Sequence, residues 1–233
     1  MNATSRFSGA VWFDAAKKTD CLIGGIGSIG SWLALALART VASITLVDMD
    51  TVDLENLGGQ FFQQKNVGEQ KTASLRDNLN DFAFNMALIR TKAARIQEVA
   101  PSIYPAIVFS CFDNMEARKV LFENWILRTQ CVENNYPIFI DCRLGFDYYQ
   151  IFCVTKDRIE DYRKTLFNDG EIPETPCTLK CTTNVAMMAA ANMTGFLQNH
   201  LSNVVTETPM SMVPFFKGYN LTYNLDTDTY DPT

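Results

Sequence analysis

Gly25, Gly27 and Gly30 form a GxGxxG run that leads into the apolar stretch Ser31-Trp32-Leu33-Ala34-Leu35-Ala36-Leu37-Ala38. Such a run suits a phosphate. The first glycine permits a tight turn, the second lets the backbone approach an anion, and the third lets the helix pack closely on its strand. The free N–H groups at the helix start then face the anion. Asp48, eighteen positions after Gly30, closes the run Ser43 to Asp48. A carboxylate there can accept hydrogen bonds from ribose hydroxyls. The glycines and Asp48 serve ATP or NAD equally well.

The elements that must position these groups follow from periodicity. Cys21 to Gly24 and the β-branched Ser43 to Asp48 read as strands around the glycine turn and its helix. A polar loop, Asp50 to Gln60, precedes a helical pattern from Thr72 to Asn80. Ala87 to Thr91 reads as a short strand and Ala94 to Val99 as a short helix closed by Pro101. Ala106 to Phe112 is a continuous apolar run, as expected of a central parallel strand buried on both faces. Asp113 then falls at its C-terminal end, where open α/β sheets bind ligands; the alternative is an aspartate that caps the next helix. Met115 to Asn134 reads as a helix, Pro137 to Cys142 and Tyr149 to Val154 as strands, and Val185 to Leu201 as a Met- and Ala-rich helix. Residues 1 to 20 read as an N-terminal arm or short helix. Tyr219, Leu221, Tyr223 and Leu225 alternate at strand period, a terminal strand or hairpin, with Asp226 to Thr233 frayed. The expectation is a single α/β domain over residues 1–233, a Rossmann-like three-layer arrangement. Its sheet is mostly parallel with antiparallel C-terminal strands, 156–182 forms a crossover loop, and 202–233 forms a C-terminal strand and tail segment.

Composition narrows the function classes. Of 233 residues, 47% are apolar and 20% charged, which suits a globular domain. No apolar run reaches the roughly 18 residues that span a bilayer, and the start lacks a signal-peptide pattern; a soluble, cytoplasmic protein without a membrane partner is expected. The formal net charge of −6 disfavours nucleic acid as a partner. Seven scattered cysteines without a CxxC pair, and a single histidine, His200, supply neither a disulfide framework nor the usual zinc spacings, so no zinc is expected.

The run Asp48-Met49-Asp50-Thr51-Val52-Asp53-Leu54-Glu55-Asn56-Leu57-Gly58-Gly59-Gln60 is similar to the D-x-D-x-V-x-x-x-N-L-x-R-Q pattern of the ThiF/MoeB/HesA superfamily of adenylating enzymes, which includes the ubiquitin-activating enzymes. The glycine run, Val67 to Lys71 (VGEQK), and Asp113-Asn114 with Arg118 five residues after the aspartate match the same family in order. The resemblance covers most of the chain. It implies ATP and Mg²⁺ as cofactors, with Gly25, Gly27, Gly30, Asp48, Asp50, Asn56, Gln60 and Lys71 around the nucleotide. It also implies that Asp113 binds the Mg²⁺ and that Arg118 assists.

The implied reaction is attack by the C-terminal carboxylate of a small β-grasp, ubiquitin-like or sulfur-carrier protein, or of a peptide, on the α-phosphorus of ATP. A homodimer is likewise implied. A carboxylate is ionised near neutral pH and needs no histidine base, which fits the single histidine. Asn56 reads equally as a turn residue, and Lys71 as a solvated helix-start lysine. Pro176-Cys177-Thr178-Leu179-Lys180 is similar to the family's thioester motif, so Cys177 is the candidate nucleophile; Cys177 and Cys181 read otherwise as ordinary loop cysteines. Two family arginines are replaced, by Gly9 and Gly59, and Arg143 is a candidate to supply the missing charge. The rival readings are a catalytically impaired member that binds ATP or dimerises, and an NAD-dependent enzyme.

Overall fold

In a computed structural model the residues described are 5–82, 87–131, 136–168, 183–208 and 211–230. One eight-stranded sheet runs through the molecule in the order β3-β2-β1-β4-β5-β6-β7-β8. Strands β1 (Asp20–Gly24), β2 (Ser43–Val47), β3 (Leu88–Lys92), β4 (Ile107–Ser110) and β5 (Ile138–Leu144) are mutually parallel. Strands β6 (Tyr148–Val154), β7 (Phe216–Asn220) and β8 (Leu225–Thr227) continue it antiparallel. The mostly parallel sheet with antiparallel C-terminal strands is thus as expected.

Alternation along the strands divides the core in two. Ile23, Phe109, Ile138 and Ile140 face one layer, and Leu22, Val108 and Phe139 the other, because successive side chains of a strand point to opposite faces. The first layer is covered by α2 (Ser28–Leu37), α3 (Lys71–Phe82) and α6 (Thr183–Thr206), with α1 (Phe13–Ala16) beside α6. The second is covered by α4 (Met115–Cys131) and α5 (Ile159–Arg163). Apolar residues on both faces explain why Ile107–Ser110 is buried at every position.

Several local expectations change. Ala94 to Val99 holds only a single 3₁₀ turn, Ile96–Glu98, because Pro101 opens a second short turn before a longer helix can form. Of the two readings of the Tyr219 to Leu225 alternation, strand or hairpin, the hairpin is the one formed. Asn224 takes a left-handed conformation (φ 50°) and Asn220 Oδ1 accepts the Tyr223 N–H at 3.1 Å, so Leu221 and Tyr223 lie in the turn. Asp226, expected to fray, lies in β8 and pairs with Lys217 at 3.2 Å. The segment expected as a loop from Lys156 begins with a 3₁₀ turn and α5, and α6 continues to Thr206, beyond residue 202.

Behind the central strands, Phe122 is fully buried, with its ring 5.1 Å from Phe139, 4.6 Å from Tyr162 and 5.9 Å from Trp125. Removing an aromatic ring from so close a cluster leaves a cavity that neighbours cannot fill. Phe122→Ala is therefore expected to lower the unfolding free energy by about 3–5 kcal/mol, as read from the urea midpoint.

Candidate functional site

The C-terminal ends of β1, β2 and β4 meet where the strand order reverses, the place at which open α/β sheets form a ligand crevice. Gly25 follows β1 with φ +81°, and a side chain there would press on the Cys111 backbone oxygen at 2.8 Å. Only glycine suits that combination. At Gly30 an added Cβ would lie 2.0 Å from the Gly25 oxygen, which is the close helix–turn approach that the third glycine of the run permits. Gly27, in contrast, faces open space, with Gln60 Nε2 the nearest atom at 3.9 Å. Helix α2 begins at Ser28, three residues earlier than its apolar stretch, and has no side-chain cap, so its first N–H groups stay available to an anion.

Asp48 fixes this turn. Its Oδ2 accepts the Ile26 N–H at 2.8 Å and its Oδ1 the Asp50 N–H at 2.8 Å. The residue is buried, and desolvation raises its pKa, opposed by the two backbone bonds and by Lys71. Each carboxylate oxygen keeps a second lone pair for a further donor. Asp50 is the next link: its Oδ2 holds the buried Lys71 ammonium at 3.0 Å and its carbonyl accepts the Lys71 N–H at 2.9 Å. Lys71 is therefore not a solvated helix-start lysine. One of its three ammonium donors is used on Asp50.

Loop 54–62 packs over the start of α2. Trp32 Nε1 donates to the Gly59 carbonyl at 3.0 Å, and Ser31 Oγ accepts the Phe61 N–H at 3.0 Å. Asn56 Oδ1 accepts the Asp53 N–H at 2.9 Å, so Asn56 does act as a turn residue, and only its NH₂ remains for an anion. The Gln60 Oε1 is buried without a partner among the described residues. Thr183 Oγ1, at the start of α6, donates to the Gly58 carbonyl at 2.6 Å and ties the loop to that helix.

Asp113 is exposed three residues after β4. It is not the helix cap: Asn114 Oδ1 accepts the Ala117 N–H at 2.8 Å, and among the described residues Asp113 takes the Asn114 amide at 3.3 Å. A free carboxylate at a strand end is the hard oxygen ligand Mg²⁺ uses, one or two carboxylates beside phosphate oxygens. Among the described residues no cluster of three acidic, His or Cys side chains forms a metal cage.

Arg118 and Arg143 are placed differently from their sequence roles. Arg118 is buried; it pairs with Asp141, and its other contacts are the carbonyl oxygens of Cys142 at 2.9 Å and Phe112. It braces the strand end and does not face the crevice. Arg143 spends its guanidinium on Asp141 at 3.1 Å and on the Thr165 carbonyl and hydroxyl at 3.0 and 2.8 Å, with Phe152 stacked 4.5 Å away. All three of its nitrogens are thus tied to protein, which holds the group away from the role of a phosphate arginine. Asp141, on which both arginines meet, was not singled out by sequence reading; an acidic residue inside an apolar strand was the available signal. Cys177 and Cys181 lie outside the described residues. Cys111, Cys142 and Cys153 are buried, and burial pushes their thiols up, as expected of core cysteines.

The three-layer sheet and its polar crevice define a doubly wound α/β protein with an anion-ready turn. The chain belongs to the ThiF family, whose model matches residues 3–230. It is 36% identical over 109 residues to the tRNA threonylcarbamoyladenosine dehydratase of Escherichia coli, which covers 46% of this chain and 35% of that protein. It is 27% identical over 196 residues to a ubiquitin-activating enzyme E1-like protein of Saccharomyces cerevisiae, covering 79% of this chain and 29% of that one. This chain thus spans about a third of those relatives. The crystal structure of E. coli MccB with ATP shares the fold at a TM-score of 0.67 and 18% identity, over 94% of this chain and 65% of that one. Among the described residues no helix is long and apolar enough to cross a membrane.

Two outcomes follow from these contacts. Asp48→Ala leaves the Ile26 and Asp50 N–H groups without acceptors and is expected to cost about 1–3 kcal/mol for the buried Ile26 group and less for the part-exposed Asp50 group, seen in urea unfolding. For Asp141, burial pushes the carboxyl up, but Arg118 and Arg143 outweigh it and the net pKa is lowered from 3.8. Its contribution is present above pH 3.8 and is lost as pH falls through the lowered value. In Arg118→Met one partner is gone, so the acid-induced loss of stability should begin at higher pH, and stability at neutral pH should fall by about 3–5 kcal/mol.

Proposed function

We propose that this protein adenylates a carboxylate, using ATP and Mg²⁺. The observation that carries the reading is that an anion-ready glycine turn, a ribose-competent Asp48, the Asp50–Lys71 pair and Asp113, which caps no helix, all follow the C-terminal ends of β1, β2 and β4. Membership of the ThiF family supports it. The glycine turn and α2 start receive phosphate oxygens, Asp48 the ribose hydroxyls, and Lys71, the Asn56 NH₂ and the Gln60 amide the remaining phosphate charge.

Asp113 would hold the Mg²⁺, which when bound supplies charge neutralisation to the phosphates. The acceptor's carboxylate oxygen attacks the α-phosphorus, the bond to pyrophosphate breaks, and its electron pair leaves with pyrophosphate. No proton need move, so the protein's work is positioning and charge stabilisation. The acceptor we favour is the exposed C-terminus of a small ubiquitin-like β-grasp protein or a peptide. The name of the yeast relative supports this, and MccB has been solved together with MccA. The net charge of −6 supports a protein or peptide acceptor over nucleic acid, and we expect the protein to act as a cytoplasmic homodimer. A later thioester on Cys177 belongs to the same reading, and a reducible conjugate lost in Cys177→Ser would be its signature.

One observation favours a second reading, an ATP-binding member with impaired chemistry. Gly59 and Gly9 stand where the family carries arginines, and both Arg118 and Arg143 are held by Asp141 and neighbouring carbonyl groups. Space exists for the missing charge: Gly59 has φ −134°, and an added Cβ first meets Ser28 Oγ at 3.9 Å. Gly59→Arg is therefore expected to fold normally and to raise ATP–pyrophosphate exchange on the order of 10²-fold. Asp113→Ala should abolish exchange. Tight ATP binding with no exchange for any carboxylate acceptor would select the second reading, and stabilisation by NAD alone would overturn both.

A further inference from the structure

Two buried guanidinium groups converge on one carboxylate at the end of the sheet. Asp141 accepts Arg118 on Oδ1 and Arg143 on Oδ2, and it is wholly buried. From there the contacts run in opposite directions. Arg118 reaches back to the Phe112 carbonyl, the residue directly before Asp113, and to the Cys142 carbonyl at 2.9 Å. Arg143 reaches forward to Thr165, whose hydroxyl donates to the Tyr162 carbonyl at 2.8 Å at the end of α5. Neither arginine touches the crevice.

We infer that Asp141 is a positioning residue: through Arg118 it sets the backbone that aims the Asp113 carboxylate, and through Arg143 it ties that aim to the segment after α5. This rests on the nucleotide-site reading above. The physical reason is geometric. Phe112 and Asp113 lie beyond the last paired residue of β4, Ser110, so the sheet's own ladder does not hold them. The Arg118 fork replaces the missing ladder with a fixed, planar pair of donors. Only a carboxylate can accept both guanidinium groups. An asparagine keeps one acceptor oxygen and turns an NH₂ toward the other arginine. Lysine at 118 keeps the charge but cannot span Asp141, Cys142 O and Phe112 O from one planar group.

The test titrates Mg²⁺ against the thermal stabilisation given by ATP, in the full chain. Asp141→Asn and Arg118→Lys are each expected to raise the Mg²⁺ half-saturation point about tenfold, with the shift given by ATP in EDTA unchanged. In an Asp113→Ala background, Asp141→Asn should add nothing to the Mg²⁺ response. A purely bracing role would lower the melting temperature but leave the Mg²⁺ half-saturation point where it was; that result in either folded variant overturns the inference. Should Asp141→Asn fail to fold, Arg118→Lys decides alone. If the unaltered protein is stabilised by ATP with no dependence on Mg²⁺, the nucleotide-site reading itself fails and the inference falls with it. That outcome is separate from one in which the unaltered protein responds and the variants match it.

Discussion

The site depends on one carboxylate accepting two backbone N–H groups. Asp48 holds Ile26 in the glycine turn and Asp50 in the following loop, so β1, the turn and the Asp50–Lys71 pair move as one unit. Burial raises the cost of keeping Asp48 ionised, and its partners offset part of that cost. The same carboxylate can therefore organise the turn and keep lone pairs for a sugar. Without it, the crevice loses its floor.

A second carboxylate gathers charged side chains inside the sheet. Asp141 is deeper than Asp48 and holds two guanidinium groups, which lower its pKa despite complete burial. Buried ion pairs of this kind contribute little net stability relative to well-packed apolar groups, but they hold a geometry strictly. That suits a strand end beyond the hydrogen-bonded ladder. Arg118 and Arg143 are fixed charges facing protein, whereas the arginines that the resemblance implies at the positions of Gly9 and Gly59 would have to face phosphate. One kind does not substitute for the other.

The sheet was legible because its signals are local. Continuous apolar runs such as Ala106 to Phe112 mark strands buried on both faces, and glycine at 25 and 30 marks a turn that admits no side chain. The short-turn region from Ala94 to Ile103 was less legible. Its apolar spacing suits a helix, but two 3₁₀ turns around Pro101 use the same residues to cover the sheet. The C-terminal alternation left strand and hairpin open, and the hairpin forms because Asn224 reverses the chain just before Leu225.

The sequence by itself determined the layers, the glycine turn and the acidic and basic residues near it, since each follows from side-chain periodicity or from the steric needs of one residue. Only the tertiary structure decided which charges are free. Lys71 and Asp50, twenty-one positions apart, pair across the loop. Arg118 and Arg143, read as assisting residues, meet on Asp141 and turn away from the crevice. Asp113, read as cap or ligand, is not the cap, because Asn114 takes the helix N–H. Spacing along the chain records which groups could reach a site. Which of them are already committed to protein partners depends on strands and helices brought together across the fold, and no local pattern carries that information.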